Sequence, residues 1–280
     1  LLGRVDAGAG DRVQVLDISL DKNREPLVAL LDQGARVLYF DHHHPGEVPA
    51  HPALEAHIDT TPDRGTCWLV DRHLAGAHRA WAVVGTFGDN FDATAAALGE
   101  SLGLGEAVLG RLRDLGIYLN YNGYGAAVAD LHFPPDDLYR RLHPYADPLE
   151  FIRADETFAR LEAGYREDMA RAEGLAPEVE TPGAAVYRLP DAPWARRVGG
   201  VLANRLAQGA RGRAHALLTE RADGDFVVSV RAPLDNPAGA DALCREFPTG
   251  GGRQAAAGVN RLPADDYDRF VARFRASYDP

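Results

Sequence analysis

The sequence predicts an α/β protein in two parts. An N-terminal parallel-sheet domain is followed by a smaller C-terminal α/β domain with a mixed sheet, the two joined by a long helix and a linker. Three observations carry this expectation. Within residues 12–41 a strand-type run, a short amphipathic helix and a second strand-type run follow one another, which is the pattern of a right-handed crossover between parallel strands. A long charged amphipathic stretch, Phe151–Glu173, then leads into Pro177–Gly183, whose Pro, Glu, Thr and Gly read as a linker. Beyond it, strand and helix patterns begin again. The expected boundaries are 1–150, 151–183 and 184–280.

Taken in order, Arg12–Ile18 (RVQVLDI) reads as a buried strand that ends in Asp17. Arg24–Gln33 is a helix with Leu27, Leu30 and Leu31 inward and Gly34 placed to end it. Ala35–Asp41 is the next strand, and Ile58 and Asp59 suggest a further short one. Thr66–Leu74 reads as a helix closed by Gly76, and Arg79–Asn90 as an apolar run that again reaches an acid, Asp89. Ala, Leu and Gly alternating from Ala93 to about Leu119 suggest two packed helices. Asn120–Gly125 (NYNGYG) is loop-like, and Phe133–Asp137 is a break. In the C-terminal part, Ala184–Leu189, His215–Thr219 and Phe226–Arg231 are strands, the last two joined by a polar turn at Ala222–Asp225. Trp194–Gln208, Asn236–Phe247 and Tyr267–Tyr278 are helices, and Gly250–Gly252 is a loop.

Composition narrows the function classes. A hydrophobic fraction of 46% and a charged fraction of 25% are ordinary for a globular chain with a core. No apolar segment approaches the roughly 20 residues needed to span a bilayer. Two cysteines, Cys67 and Cys244, exclude a Cys-type zinc cluster and favour a reducing compartment, so the cytoplasm is the expected location. The net charge of −11 argues against a broad grip on long nucleic acid. A short nucleotide held by a few residues and ions remains compatible. The chain begins with Leu1 and its only methionine is Met169, so an upstream segment is expected.

The stretch richest in chemistry is Ala35–Glu47 (ARVLYFDHHHPGE), an apolar strand that stops at Asp41, His42, His43 and His44 before Pro45-Gly46. A polar strand end is the plain alternative. However, Asp17, Asp41 and Asp89 each end an apolar segment, and open α/β sheets place ligands at the C-terminal edge of their strands. Carboxylate oxygens with imidazole nitrogens suit Mn, Fe or Zn.

On these residues the chain resembles the DHH phosphoesterases. Asp41-His42-His43 looks like the name-giving motif, Asp17 in VLDIS like the second motif and Asp89 in GTFGDN like the fourth. Gly250-Gly251-Gly252-Arg253-Gln254-Ala255-Ala256-Ala257-Gly258 is similar to the GGGHxxAAG signature of the DHH-associated domain, with Val230-Arg231 on its preceding strand. The resemblance implies hydrolysis of a phosphodiester or phosphomonoester of a short nucleotide, dinucleotide or other small phosphorylated compound. It also implies two metal ions that activate water, Mn²⁺ by expectation with Mg²⁺, Co²⁺ or Fe²⁺ compatible, and no role for a membrane. Asp17 would bridge the ions, and His42 and Asp89 would bind one of them. Asp41 would orient a histidine, and His43 would face the phosphate. Gly250, Gly251, Gly252, Arg253 and Arg231 would hold the far end of the substrate. A homodimer is compatible with the same resemblance.

The match departs from the family in two places. The family's first motif, Asp-x-Asp, is not found: Asp6 and Asp11 have the wrong spacing, and the motif is expected upstream. Arg253 stands where the family has His, which keeps a cation but removes a group that titrates near neutrality. A catalytically impaired nucleotide-binding or regulatory protein of the same fold is therefore the alternative. An editing or nucleic-acid-processing module is a third reading, disfavoured by the negative charge. Trp68, Trp81 and Trp194 read as core or interface residues, and His51, His57, His73 and His78 as surface residues, with His57 near the strand-end acids.

Overall fold

A computed structural model describes residues 1–279. In chain order its elements are β1 (Arg12–Leu16), α1 (Arg24–Asp32), β2 (Arg36–Asp41), β3 (Leu54–Ile58), α2 (Thr66–His73), α3 (Arg79–Gly88), α4 (Asp92–Ser101), α5 (Glu106–Tyr121), α6 (Pro135–Leu142), α7 (Pro148–Ala154) and α8 (Glu156–Glu173). They continue as β4 (Val179–Glu180), β5 (Ala184–Leu189), α9 (Pro193–Gly209), β6 (Ala214–Glu220), β7 (Phe226–Arg231), α10 (Ala240–Cys244), β8 (Gly250–Gly252), β9 (Ala256–Leu262) and α11 (Tyr267–Tyr278). The chain divides into two compact units, Leu1–Ile117 with His143–Asp155, and Tyr118–Leu142 with Glu156–Pro280.

The first unit carries a parallel sheet of order β1-β2-β3 among the described residues. Its first crossover follows from local chemistry. Helix α1 buries Leu27, Leu30 and Leu31 and ends at Gly34, whose φ of 91° suits glycine. The Gly34 amide bonds the Leu31 carbonyl and the Ala35 amide bonds the Leu30 carbonyl, closing the helix end before β2 starts. Strands β1 and β2 then pair in parallel from Arg12↔Arg36 to Leu16↔Phe40, which brings Asp17 beside Asp41 at the C-terminal edge. The third strand is longer than Ile58-Asp59 suggests. Leu54–Ile58 is an edge strand, exposed at Glu55 and Ala56 and partly covered elsewhere.

The apolar run at 79–90 is the helix α3, with Ala82, Val83, Val84, Thr86 and Phe87 all buried, and Asp89 is its C-terminal cap. Gly116 on α5 lets that helix approach closely, since a Cβ there would lie 2.2 Å from the Val84 carbonyl oxygen.

The second unit holds a mixed sheet of order β4-β5-β6-β7-β9-β8, in which only β5 and β6 pair in parallel. Alternation sorts its side chains. Ala216, Leu218, Val228 and Val230 pack with Phe270 and Phe274 of α11. On the other face, Leu217 packs with Val198 and Leu202 of α9 and Met169 of α8.

Several expected elements differ. The long helix at 151–173 is interrupted at Asp155, where the backbone is extended, giving α7 and α8. Residues 133–137 include the start of α6, and α5 runs on to Tyr121. The helix expected at 236–247 shortens to Ala240–Cys244 behind Pro237 and Gly239, the latter left-handed at φ 91°. Gly250–Gly252 is a strand paired with β9, which sequence reading missed, and β4 lies within the expected linker.

His215 on β6 is only 2% exposed, with its ring facing Tyr187 at 6.5 Å. Burial, aided by the charge of Arg213, pulls the imidazole down to about 4 from the usual 6.5. Between those values the unfolded chain binds a proton that the native chain does not. Stability is therefore complete above about pH 6.5 and falls as the pH drops towards 4, by about 3 kcal/mol. His215→Phe is expected to remove this part of the acid sensitivity, read as a smaller difference in urea midpoint between pH 7 and pH 4.5 than in the wild type.

Candidate metal centre

Asp17 sits just beyond β1 with φ 60°, a left-handed conformation that Asp and Asn tolerate better than most side chains. Its position is pinned on both sides. The Asp17 amide donates to the Phe40 carbonyl at 3.0 Å. The fully buried Tyr39 donates its hydroxyl to the next carbonyl, that of Ile18, at 2.5 Å. Burial pushes the Tyr39 phenol up to about 12, so it stays a donor. The Asp17 carboxylate thus points to where His42 and Thr66 meet it. Oδ1 lies 3.4 Å from His42 Nε2 and accepts the Thr66 hydroxyl at 2.8 Å.

Asp41 is completely buried at the end of β2. Its Oδ1 accepts from the His42 amide at 2.9 Å and the His43 amide at 3.2 Å, and meets His43 Nδ1 at 2.7 Å. Burial opposes ionisation, but the bonds from His43 and His42 outweigh it and hold the carboxyl below its usual range. Oδ2 is buried without a hydrogen-bond partner. A His43 ring that donates through Nδ1 to Asp41 turns Nε2 away from that carboxylate. The two imidazoles stand edge to face at 4.7 Å, and His42 meets the Phe91 ring in the same manner at 5.9 Å.

Asp17, His42 and His43 each present a donor atom, all within 4.8 Å of one another. Donors on opposite sides of one ion lie about 4.2 Å apart and adjacent ones about 3 Å, so small side-chain adjustments suffice. One carboxylate and two imidazoles fit a first-row divalent ion. Asp89 belongs to the same end of the unit. A Cβ on Gly65 would fall 2.5 Å from Asp89 Oδ2, and Thr66, the next residue, bonds Asp17. The partly buried Cys67, its thiol pushed up to about 12 mainly by desolvation, also feels the charges of Asp89 and Asp17. Gly65-Thr66, at the start of α2, therefore links the two acids. Sequence reading found neither residue; the only available signal was a glycine followed by a hydroxyl residue at a helix start. Of the acids near the N-terminus, Asp11 caps a turn by accepting the Gly8 amide at 2.9 Å.

In the second unit Arg231 is held by Asn204 Oδ1 at 2.7 Å and by Ser229 Oγ at 3.1 Å. Burial, with the neighbouring Arg253 charge, pulls the Arg231 pKa below its usual value. Two guanidinium groups kept near each other favour an anion beside them. Arg231, Ser229, Asn260, Arg196, Arg221 and Tyr124 help line a pocket of about 740 Å³; Gly250, Gly251, Gly252 and Arg253 lie outside its lining. Within the glycine trio, Gly252 has φ 144° and presses on Ala257, and a Cβ on Gly250 would overlap the Cys244 carbonyl. Gly251 faces open space, so protein packing does not account for it. In the loop-like NYNGYG segment, Asn122 is buried and secures the 132–133 backbone through three hydrogen bonds.

No helix of the described residues is long and apolar enough to cross a membrane. No family model matches the chain, and no curated protein matches it in sequence. Among solved structures, it is similar to PggH, a pGpG-specific phosphodiesterase from Vibrio cholerae. The TM-score is 0.52 at 15% identity, over 98% of this chain and 87% of that one. The chain shares the fold of that phosphodiesterase.

Proposed function

We propose that this chain is a metal-dependent phosphoesterase acting on a short nucleotide or dinucleotide, with pGpG the first substrate to test. The convergence of Asp17, His42 and His43 at the C-terminal edge of the parallel sheet carries the reading. The likeness of the fold to a pGpG-specific phosphodiesterase supports it. The reading is that of a DHH phosphoesterase, in which Asp89 joins Asp17 and His42 as a ligand and His43 faces the phosphate. Two carboxylates and one imidazole, from Asp17, Asp89 and His42, suit Mn²⁺, with Mg²⁺, Co²⁺ or Fe²⁺ as alternatives. Asp17, His42 and Asp89 would hold the ions. When bound, such ions activate water and offset charge that develops on the phosphate. Asp41 acts as a positioning residue for His43, leaving Nε2 to exchange a proton near the phosphate. Arg231 and Arg253 would hold an anionic group of the substrate.

The test uses protein expressed from its full reading frame, stripped of metal and reloaded with Mn²⁺. It is assayed on pGpG, pAp, short oligonucleotides, cyclic dinucleotides, polyphosphate and pyrophosphate. Hydrolysis of one small phosphorylated compound, lost with chelator and restored by Mn²⁺, is expected. Failure on the whole panel sinks the proposal, and tight pGpG binding without turnover would favour the regulatory alternative. Arg231→Met should raise KM for the preferred substrate about 10–100-fold, the weight of a charged hydrogen bond, with a smaller change in kcat. An unchanged KM would remove Arg231 from the site.

A further inference from the structure

The first unit contains a second group of metal-ligating side chains, Glu55, His57 and His73, to which neither the sequence motifs nor the proposed reaction assigns a role. We propose that these three residues form a separate divalent-metal site of Zn²⁺ type that braces helix α2 against strand β3. Their donor atoms all lie within 4.8 Å of one another. Glu55 and His57 are two residues apart on β3 and so share one face of the strand. Their side chains already meet, with His57 Nε2 2.7 Å from Glu55 Oε1. His73 comes from the last turn of α2.

The rings are set by packing rather than left to swing. Phe40, paired with His57 across β2 and β3, stacks on the His57 ring at 4.7 Å with 9° between planes. The same Phe40 meets His73 edge-on at 5.1 Å, and the two imidazoles stand 4.9 Å apart. One aromatic floor thus orients both candidate ligands. The adjacent cation, Arg72, is directed over Trp68 at 5.5 Å. Two imidazoles and one carboxylate select Zn²⁺ and its late first-row neighbours over Mg²⁺ or Ca²⁺. His57 and Glu55 are partly and largely exposed, so water would fill the remaining coordination positions.

Helix α2 connects the two groups. Its first residue, Thr66, bonds Asp17, and its last, His73, belongs to the new site. At 1.5 Å per residue these ends are about 10 Å apart. An ion at Glu55, His57 and His73 would fix the far end of the helix that holds Thr66 against Asp17.

The test is a Zn²⁺ titration of the full chain carrying Asp17→Asn and His42→Ala, which disables the first centre. The expected result is binding of about one equivalent, accompanied by a rise in thermal midpoint. Substitution of Co²⁺ is expected to give a visible d–d absorption. Adding His57→Ala and His73→Ala should weaken binding at least about 100-fold, beyond the loss of an outer partner, and abolish the thermal shift. Glu55→Gln, a surface change that preserves packing, should weaken it about tenfold and decides the matter if the double alanine variant fails to fold. Zn²⁺ binding that is absent, or that is insensitive to these substitutions, would overturn the proposal without touching the phosphoesterase reading.

Discussion

Asp17→Asn is expected to lower Mn²⁺-dependent hydrolysis by about 1,000-fold or more while leaving the fold intact. A partner that only orients a ligand is worth roughly 10–100-fold, and the loss should exceed that. The substitution is informative because of the backbone. At φ 60° most residues would strain the chain, but Asn is isosteric with Asp and enters the left-handed region readily. The amide oxygen can still accept the Thr66 hydroxyl that Asp17 accepts at 2.8 Å. What disappears is the negative charge beside His42. The measurement is kcat/KM on the preferred substrate, with far-UV circular dichroism and the urea midpoint as controls. A rate within tenfold of wild type would show that Asp17 is no metal ligand. Asp41→Asn should fall in the smaller range, since Asp41 acts through His43.

The largest effect on stability is expected in the second unit, at Arg197→Met. Asp168 is 2% exposed and its charge is answered by Arg197 Nε at 2.8 Å. The same Nε reaches the Tyr121 hydroxyl at 3.1 Å, and another guanidinium nitrogen donates to the Asp130 carbonyl. Tyr121 donates to Asp168 and meets His132 Nε2 at 2.8 Å. His132 itself is held below its usual pKa, chiefly by burial and then by the Arg197 charge, so it answers little of the Asp168 charge. Methionine preserves much of the volume of Arg197 but leaves the buried carboxylate only the more distant Arg171, at 3.9 Å, a loss of about 3 kcal/mol. Urea unfolding measures it. The double variant Asp168→Asn/Arg197→Met, which removes both charges, should recover a large part. If the single and double variants are equally unstable, packing rather than charge accounts for the loss.

How much of this was legible in the sequence depended on whether the signal was local. The crossover from β1 to β2 is written in residues 12–41, because the leucine spacing of α1, Gly34 and the two apolar runs all lie close together. The placement of Asp17 beside Asp41 follows from the parallel pairing alone. Arg79–Gly88 is a short, largely apolar run with residues 82–84, 86 and 87 all buried, so its composition alone did not separate a helix from a buried strand. Gly250–Gly252 has the composition of a turn and becomes a strand through pairing with β9, a tertiary effect that overrides propensity. Thr66 was missed because its partner is 49 residues away. His57 and His73 read as surface residues singly. Only the stacking of β3 and α2 on Phe40 makes them a pair.

The acid that closes α3 has a consequence for how the first unit can be studied. Asp89 caps the C-terminal end of a helix, where the dipole is negative, and Asp17 occupies a left-handed backbone. Each disfavours the empty fold by roughly 1 kcal/mol or less, and a bound cation offsets the electrostatic part. Melting temperature should therefore serve as an occupancy gauge. Rising Mn²⁺ is expected to lift it little below Kd and then in proportion to the logarithm of concentration, so the onset of the rise reports affinity through RT ln(1 + [L]/Kd). The preferred metal can then be ranked by calorimetry before any substrate has been identified.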